Sequence, residues 1–417
     1  MTITETETAV GAACRIAREA SRRLAILDSA AKDRALLAIA DALESRTAEI
    51  IAANARDLAA GREAGLSEAL LDRLLLDEPR IAAIAAQVRD IAALSDPVGE
   101  VLDGFRRPNG LDIIKLRTPL GVVAVVYEAR PNVTVDAAAL CLKSGNACLL
   151  RGSSSAAHSN AVLAQIAAEY APAGAIQLIA GGGHDELTEL ATRDGDVDLL
   201  IPRGGEGLKR ALTAVATVPM IFAASGNCHV YVDGEADLAM AAEIVINAKC
   251  QRPGVCNAAE TLLVDEAVAE AFLPVICERL VAGGVQLRGD ERVRELAGVE
   301  VAEATGTDWD EEFLSMTLAV AVVDGVERAI EHIARHGSGH SEAIVTGSYD
   351  AARAFELGVD AACVYVNAST RFTDGGEFGF GAEIGNATQK LHARGPIGLR
   401  ELCTFKYVVR GDGQVRG

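Results

Sequence analysis

The chain has 417 residues, of which 50% are hydrophobic and 4% aromatic, and its 39 basic and 59 acidic residues give a formal charge of −20. This length predicts two or three domains, and the aliphatic composition is typical of an α/β enzyme. A surface with this much negative charge disfavours nucleic acid and anionic membranes as partners. An anionic ligand would therefore have to be bound by local arginines or by backbone amides.

The compartment is predicted from the cysteines and from the N-terminus. Nine cysteines without a CxxC pair indicate reduced thiols in a cytosolic protein. The polar, acidic stretch 1–10 is unlike a signal peptide. An uncharged run at 211–232 contains Pro219, Gly226 and His229, which favour a buried passage over a membrane span. We therefore expect a cytoplasmic protein with no membrane partner.

The first half of the chain changes pattern near residue 111. Apolar side chains at helical spacing predict several amphipathic helices over 9–93. Strands then alternate with helices, which predicts βαβ units and a mostly parallel sheet. The predicted strands lie at 113–116, 122–127, 147–151, 176–179 and 197–201, and the predicted helices at 137–143, at 156–170 and from about 205.

A second alternating block runs from about 226 to 400. Its predicted helices lie at 236–249, 266–282 and 324–335, and its predicted strands at 261–264, 317–323, 342–346 and 363–366. The C-terminal run 404–410 is again strand-like. An exposed edge strand there favours pairing between subunits.

Several common signatures are absent from the sequence. It has no GxGxxG after the first strand, no GxxxxGK[ST] and no HExxH. The seven histidines do not cluster along the chain, so no metal site is expected.

Four segments contain candidate catalytic or ligand-binding residues. Cys256 lies in a loop with Gly and Pro, 251–260, between a predicted helix and a predicted strand, where substrate can reach a thiol that is held still. A buried structural cysteine is the alternative. The other segments are a strand with a polar turn at 119–132, a helix–turn–strand with three serines at 142–155, and a Gly-rich loop at 366–385.

Together these segments resemble the aldehyde dehydrogenase superfamily and, within it, the branch that reduces L-glutamyl 5-phosphate. The similarity extends from about residue 100 to the C-terminus; near the nucleophile only Cys250 departs, where that branch has Thr. The resemblance implies an α/β fold with a Rossmann-like NADP-binding domain at 1–104 and 119–224, an α/β catalytic domain at 225–402, and a small β bridging flap at 105–118 and 403–417. It also implies a homodimer or homotetramer.

The implied activity is the NADPH-dependent reduction of L-glutamyl 5-phosphate to L-glutamate 5-semialdehyde and phosphate, in proline biosynthesis. The Cys256 thiolate would expel phosphate and form a thioester, which hydride reduces. Hydrolytic members of the superfamily have a water-activating glutamate where this chain has Ala223, so the thioester is expected to wait for hydride, unless Glu260 or another carboxylate serves. Glutamate 5-kinase, which makes the acyl phosphate, is a candidate partner.

The resemblance also suggests residues that bind the substrate. Asn132 and Arg130 are alternative oxyanion donors. Arg130 and Arg252 would bind the departing phosphate and lower the thiol pKa, although Arg252 could instead form a surface salt bridge. Arg371 and Asp374 would bind the charged head group of the substrate, unless their Gly-rich loop is a plain turn.

Other residues are expected to bind the cofactor. Arg151 stands where the superfamily has a ribose-binding lysine, and Ser154 where NAD-preferring members often have Glu, which favours NADP(H). The turn with Gly204 and Gly205 would offer amides to the pyrophosphate, unless it is an ordinary βα turn. Glu312 matches the glutamate that holds the nicotinamide ribose, with an exposed helix-start carboxylate as the alternative.

Three other functions stay open at this stage. An acylating aldehyde dehydrogenase would use coenzyme A in place of phosphate. A thiol hydrolase or transferase would turn over without nicotinamide. A catalytically inactive scaffold would function without Cys256.

Overall fold

A computed structural model describes residues 7–181, 183–222 and 226–416. Its α-helices over these residues are α1 (Ala9–Leu24), α2 (Ser29–Ser45), α3 (Thr47–Glu63), α4 (Glu68–Leu74), α5 (Glu78–Ala93), α6 (Asn132–Lys143), α7 (Ala157–Tyr170), α8 (His184–Ala191), α9 (Glu206–Thr213), α10 (Leu238–Cys250), α11 (Glu266–Ala282), α12 (Glu291–Leu296), α13 (Gly325–His336) and α14 (Tyr349–Gly358). Within this described part of the chain, no helix is long and apolar enough to cross a membrane.

The strands form three main sheets and one short pair. They are β1 (Val101–Arg106), β2 (Asp112–Pro119), β3 (Val122–Tyr127), β4 (Ala147–Gly152), β5 (Ile176–Leu178), β6 (Leu199–Arg203), β7 (Cys228–Val232), β8 (Ala259–Asp265), β9 (Gln286–Gly289), β10 (Ala302–Glu303), β11 (Thr317–Val323), β12 (Ser341–Val345), β13 (Cys363–Val366), β14 (Asn386–Ala387), β15 (Gly395–Pro396) and β16 (Cys403–Arg410).

The first sheet is parallel and has the strand order β5-β4-β3-β6. Its central strand β3 reads VVAVVY and is buried along its whole length, as expected for a strand covered on both faces. The same apolar core includes Ile384, Ile397 and Leu402. The segment that contains them, assigned from the sequence to the catalytic domain, therefore packs on the core of the first sheet.

The second sheet has seven strands in the order β10-β9-β11-β8-β7-β12-β13, and its paired strands are parallel. Apolar clusters pack against it from α10 and α11 and, separately, from α13 and α14. The prediction of a mixed α/β fold with mostly parallel sheets is confirmed. Helix α14 was not predicted, and α6 begins at Asn132, five residues before the predicted start at 137.

The third sheet is antiparallel, with the order β1-β2-β16. Alternate side chains of its edge strand β16 are exposed, with Phe405 at 45%, Tyr407 at 58% and Val409 at 54%. Lys115 Nζ lies 3.7 Å from the centroid of the Phe405 ring. An exposed edge strand presents unpaired backbone groups with which another strand can pair.

Candidate active site

The Cys256 loop connects α10 to the amino end of β8 and is fastened to the Gly-rich segment that follows β13. The buried Asn257 donates through Nδ2 to the carbonyl oxygens of Thr373 at 2.9 Å and Arg371 at 3.3 Å. In return, Thr370 Oγ1 donates to the Asn257 carbonyl at 2.7 Å. The loop and this segment therefore hold each other in place next to the thiol.

On its other side the loop packs against the backbone that leads into β7. A Cβ added to Gly226 would lie 1.6 Å from the Cys256 carbonyl oxygen, so only glycine fits there. The Gly226 N–H donates to Glu312 Oε1 at 2.6 Å, and the Cys228 thiol donates to the Cys256 carbonyl at 3.2 Å. Glu312 is thus joined to the cysteine loop through Gly226. Ala223 lies outside the described residues.

The electrostatic environment of the thiol differs from the expected one. Burial raises the pKa of Cys256 above its ordinary value, and the carboxylates of Glu383 and Glu312 raise it further. The guanidinium of Arg203, at the carboxyl end of β6, and the cysteine's own backbone N–H oppose that rise in pKa. The thiol in this structure is therefore mostly protonated at neutral pH.

Arg130, Arg203 and Arg371 act electrostatically on this thiol, and Arg252 acts on Arg130 and Arg371. The pKa of Arg130 is lowered by burial and by Arg203 and Arg252, and that of Arg371 by burial and by Arg252. Arg371 Nε donates to Gln251 Oε1 at 2.7 Å. Within the part of the chain that the structure describes, the side chains of Arg130, Arg203 and Arg252 make no ion pair, although the chain has 59 acidic residues.

Arg130 and Arg252 were expected to lower the thiol pKa, and the structure shows the electrostatic interaction of Arg130 with Cys256, whereas the effect of Arg252 on the thiol stays a prediction. The pKa of Cys256 is nevertheless raised, because burial outweighs the nearby positive charge of Arg203, Arg130 and Arg371. Sequence reasoning missed the side chain of Arg203 because it treated the residue as part of a turn. Its position at the end of a buried strand of a parallel sheet was the available signal.

Glu260, four residues after Cys256, and Glu383 have different hydrogen-bond partners. Glu260 is buried, accepts a hydrogen bond from Leu314 N at 3.2 Å and forms an ion pair with the buried Lys249, so both of its oxygens are engaged. Glu383 accepts from Asn386 Nδ2 at 2.9 Å through Oε1, whereas its Oε2 is buried without a partner. Glu383 was not predicted; its position as the one acidic residue of the otherwise apolar and glycine-rich stretch 378–385 was the signal.

The two candidate oxyanion donors behave differently. Asn132 lies at the start of α6, and its Nδ2 donates to Asp136 Oδ2 at 3.0 Å. Burial raises the pKa of Asp136 to about 7. The side chain of Arg130, by contrast, interacts electrostatically with Cys256. Asp374, predicted to bind the head group, is exposed and closes a turn by accepting from Gly376 N at 2.8 Å.

The residues expected to bind the cofactor follow the strands of the first sheet. Arg151, at the end of β4, donates through Nη2 to the Gly183 carbonyl at 3.0 Å, while its buried Nε has no partner. Ser154 is exposed nearby in a 3₁₀ turn. The Gly205 N–H, at the N-terminus of α9, donates to Glu128 Oε2 at 3.0 Å. These residues fit a phosphorylated nucleotide, since an unpaired guanidinium and a helix N-terminus are both anion sites.

The sequence did not lead us to expect a histidine cluster, yet His229 of β7 lies beside His332, which is one helical turn from His336 in α13. The ring centroid of His332 lies 5.5 Å from that of His229 and 4.7 Å from that of His336. His229 Nδ1 lies 2.9 Å from Glu342 Oε2. Burial lowers the pKa of His332 to about 3. Among the described residues, no group of three or more His, Cys, Asp or Glu side chains is placed to hold a metal ion.

Comparison with known proteins agrees with this geometry. The model of the aldehyde dehydrogenase family matches residues 2–293. An acetylating aldehyde dehydrogenase from Geobacillus thermoglucosidasius shares the fold, with a TM-score of 0.67 and 21% identity over 98% of this chain and 97% of that one. The fold and the loop thiol define an enzyme of the aldehyde dehydrogenase type.

Closer relatives carry a more specific name. The γ-glutamyl phosphate reductase of Moorella thermoacetica is 59% identical over 406 residues, which are 96% of this chain and 97% of the relative. The crystal structure of the γ-glutamyl phosphate reductase from Thermotoga maritima has a TM-score of 0.96 and 46% identity, covering 98% of this chain and all of that one. The chain belongs to the aldehyde dehydrogenase family and, within it, to the γ-glutamyl phosphate reductases.

Proposed function

We propose that this protein reduces L-glutamyl 5-phosphate to L-glutamate 5-semialdehyde and phosphate with NADPH, as a step of proline biosynthesis in the cytoplasm. One observation carries the proposal. Arg130, Arg203 and Arg371 act electrostatically on Cys256, and none of the three forms an ion pair among the described residues, in a chain of charge −20. An acyl phosphate supplies the negative charge that these guanidinium groups lack, and it places its acyl carbon next to its phosphate.

The chemistry starts at Cys256. Its sulfur bonds to the acyl carbon of the substrate, the bond from that carbon to the phosphate oxygen breaks, and a thioester is left. The backbone N–H of Cys256 and either Arg130 or Asn132 stabilise the developing oxyanion. Bound NADPH supplies the hydride that reduces the thioester carbon. Cys256 then leaves as a thiolate and the semialdehyde is released.

The cofactor is assigned to the carboxyl edge of the first sheet. Arg151 and Ser154 would hold the 2′-phosphate of NADP, and the turn amides of Gly204 and Gly205 its pyrophosphate. Glu312 would hold the nicotinamide ribose hydroxyls.

The substrate head group and the assembly complete the proposal. Arg371 would bind the α-carboxylate and Asp374 the α-ammonium group. The exposed face of the β1-β2-β16 sheet would pair subunits into a homodimer or homotetramer. Glutamate 5-kinase is the proposed partner that supplies the labile acyl phosphate.

The test is a reverse assay of glutamate semialdehyde oxidation, in which NADP⁺ or NAD⁺ is supplied with either phosphate or coenzyme A. We expect phosphate-dependent NADPH formation that falls by roughly 10⁴-fold or more in Cys256→Ala. Cys250→Thr, a change at the nearby cysteine, is the matched control and should keep its activity. Turnover that needs coenzyme A and not phosphate, or that proceeds without nicotinamide, would overturn the proposal.

A further inference from the structure

Glu312 and Glu383 act electrostatically on Cys256, and Glu260 follows it by four residues; the three carboxylates differ in the hydrogen bonds that their oxygens already accept. Glu260 is held by Lys249 and by a backbone N–H. Glu312 accepts a hydrogen bond from the Gly226 N–H, and Gly226 packs against the Cys256 loop. Glu383 alone of the three has an oxygen, Oε2, that is buried and makes no hydrogen bond of normal geometry, although the nearby Gly375 N–H does lower the pKa of this carboxyl group. A buried polar atom without a partner indicates that a further group belongs there.

Arg203, an oppositely charged side chain near Glu383, also has a buried polar atom without a hydrogen-bond partner. Arg203 Nε is buried and unpartnered, and the charge of Arg203 acts on both Glu383 and Cys256. The backbone two residues after Glu383 packs on this guanidinium, since a Cβ on Gly385 would lie 2.8 Å from Arg203 Nη1. Even so, the structure shows no ion pair between Glu383 and Arg203. Two buried and unpartnered polar atoms of opposite charge therefore belong to side chains that both act on the thiol.

The proposed reaction needs a proton at this place. A phosphate group that leaves an acyl carbon without a proton would depart as a trianion, which is a poor leaving group. A carboxyl group beside the phosphate can supply that proton. Burial raises the pKa of Glu383 to about 7, so at neutral pH both of its protonation states are populated.

We propose that Glu383 is the acid that protonates the phosphate as it leaves the acyl carbon and, in the reverse reaction, the base that deprotonates the incoming phosphate. Arg203 positions that phosphate between Glu383 and Cys256. This inference rests on the proposed function, because it concerns the same acyl transfer.

The atoms and charges balance without another reactant. The proton of the Cys256 thiol passes to Glu383 Oε2 as the sulfur bonds to the acyl carbon. The bond between that carbon and the phosphate oxygen then breaks, and the oxygen keeps the electron pair and takes the proton from Glu383. Hydrogen phosphate departs, Glu383 is again a carboxylate and Cys256 carries the thioester.

The experiment isolates deacylation. Each enzyme is incubated with glutamate semialdehyde and NADP⁺ without phosphate, desalted to remove the cofactor, and checked by intact-protein mass for the acyl group on Cys256. Phosphate or hydroxylamine is then added and loss of the acyl mass is timed. Hydroxylamine is neutral and attacks a thioester without a base. The matched control is Glu377→Gln, an exposed glutamate of the same loop.

We expect Glu383→Gln to deacylate about 100-fold or more slowly with phosphate and at the wild-type rate with hydroxylamine, while Glu377→Gln behaves as wild type with both. Glu383→Asp, which keeps a carboxyl group, should recover part of the phosphate rate. Equal rates with phosphate in wild type and Glu383→Gln, or an equal loss with both nucleophiles, would overturn the inference. A wild-type enzyme that forms no phosphate-sensitive acyl group would instead overturn the proposed function.

Discussion

Glu260 and Glu383 are two carboxylates that differ in their hydrogen bonds. Burial raises the pKa of both Glu260 and Glu383 to about 7. Glu260 has an ion-pair partner and a backbone donor, whereas Glu383 Oε2 has none. A raised pKa therefore does not by itself identify a reactive group. The carboxylate that can exchange a proton with a substrate is the one whose oxygen lacks a hydrogen-bond partner, Glu383.

The largest effect is expected at Glu260, the carboxylate whose oxygens are both already hydrogen-bonded. Lys249→Met removes the partner of Glu260 within a fully buried pair, so we expect the free energy of unfolding to fall by about 3–5 kcal/mol. Denaturant unfolding followed by circular dichroism measures it. The exposed pair of Lys390 and Asp360 is the control, and Lys390→Met should change stability by about 1 kcal/mol or less. Similar losses in both variants would contradict the comparison.

A second prediction tests how the thiol is held. Gly226→Ala places a methyl group against the Cys256 carbonyl and must displace the loop, so kcat should fall by about 100-fold. Gly195→Ala, where a Cβ meets nothing within 4 Å, should leave kcat unchanged. Steady-state kinetics of both variants decide the point, and an active Gly226→Ala enzyme would show that the loop tolerates displacement.

A third prediction concerns the pH dependence of the thiol. Because its pKa is raised, the thiolate of the cofactor-free protein is scarce at neutral pH, and the rate of alkylation by iodoacetamide should still climb above pH 9. Arg203→Gln removes the cation that opposes this rise, so its alkylation at pH 8 should be slower by up to about tenfold, the factor for one pKa unit. Arg210→Gln, at the exposed end of α9, is the control. An alkylation rate that levels off below pH 8 would refute the raised pKa.

The smallest effect is expected at the carboxyl edge of the first sheet, where we propose that the cofactor binds. Glu128 holds the Gly205 N–H that the proposal assigns to the pyrophosphate, and its charge repels that group. Glu128→Gln should therefore tighten NADPH binding about fivefold, which corresponds to about 1 kcal/mol. Calorimetric titration measures this affinity, with the exposed Asp185→Asn as the control. Unchanged or weaker binding would remove Gly205 from the cofactor site.

Much of the fold was predictable because local patterns encode it. The uninterrupted apolar run of β3 indicates a strand buried on both faces, and the structure has it at 122–127. Helix α6 began earlier than predicted because tertiary packing, not helix propensity, holds the β-branched residues of its first turn. The packing of 382–402 on the first sheet could not be predicted, since it joins segments far apart in sequence.

The sequence by itself identified Cys256, from its loop between a helix and a strand and from the resemblance of the segments around it. It also identified the arginines at 130, 252 and 371 as candidates. Only the tertiary structure decided which groups act on the thiol. Arg203 and Glu383 are 180 positions apart in the chain and meet because β6 and the Gly-rich segment end at the same place. The burial of Cys256 and Glu383 depends on how these distant segments pack together. Because burial sets the pKa of both groups, no local sequence pattern could predict those pKa values.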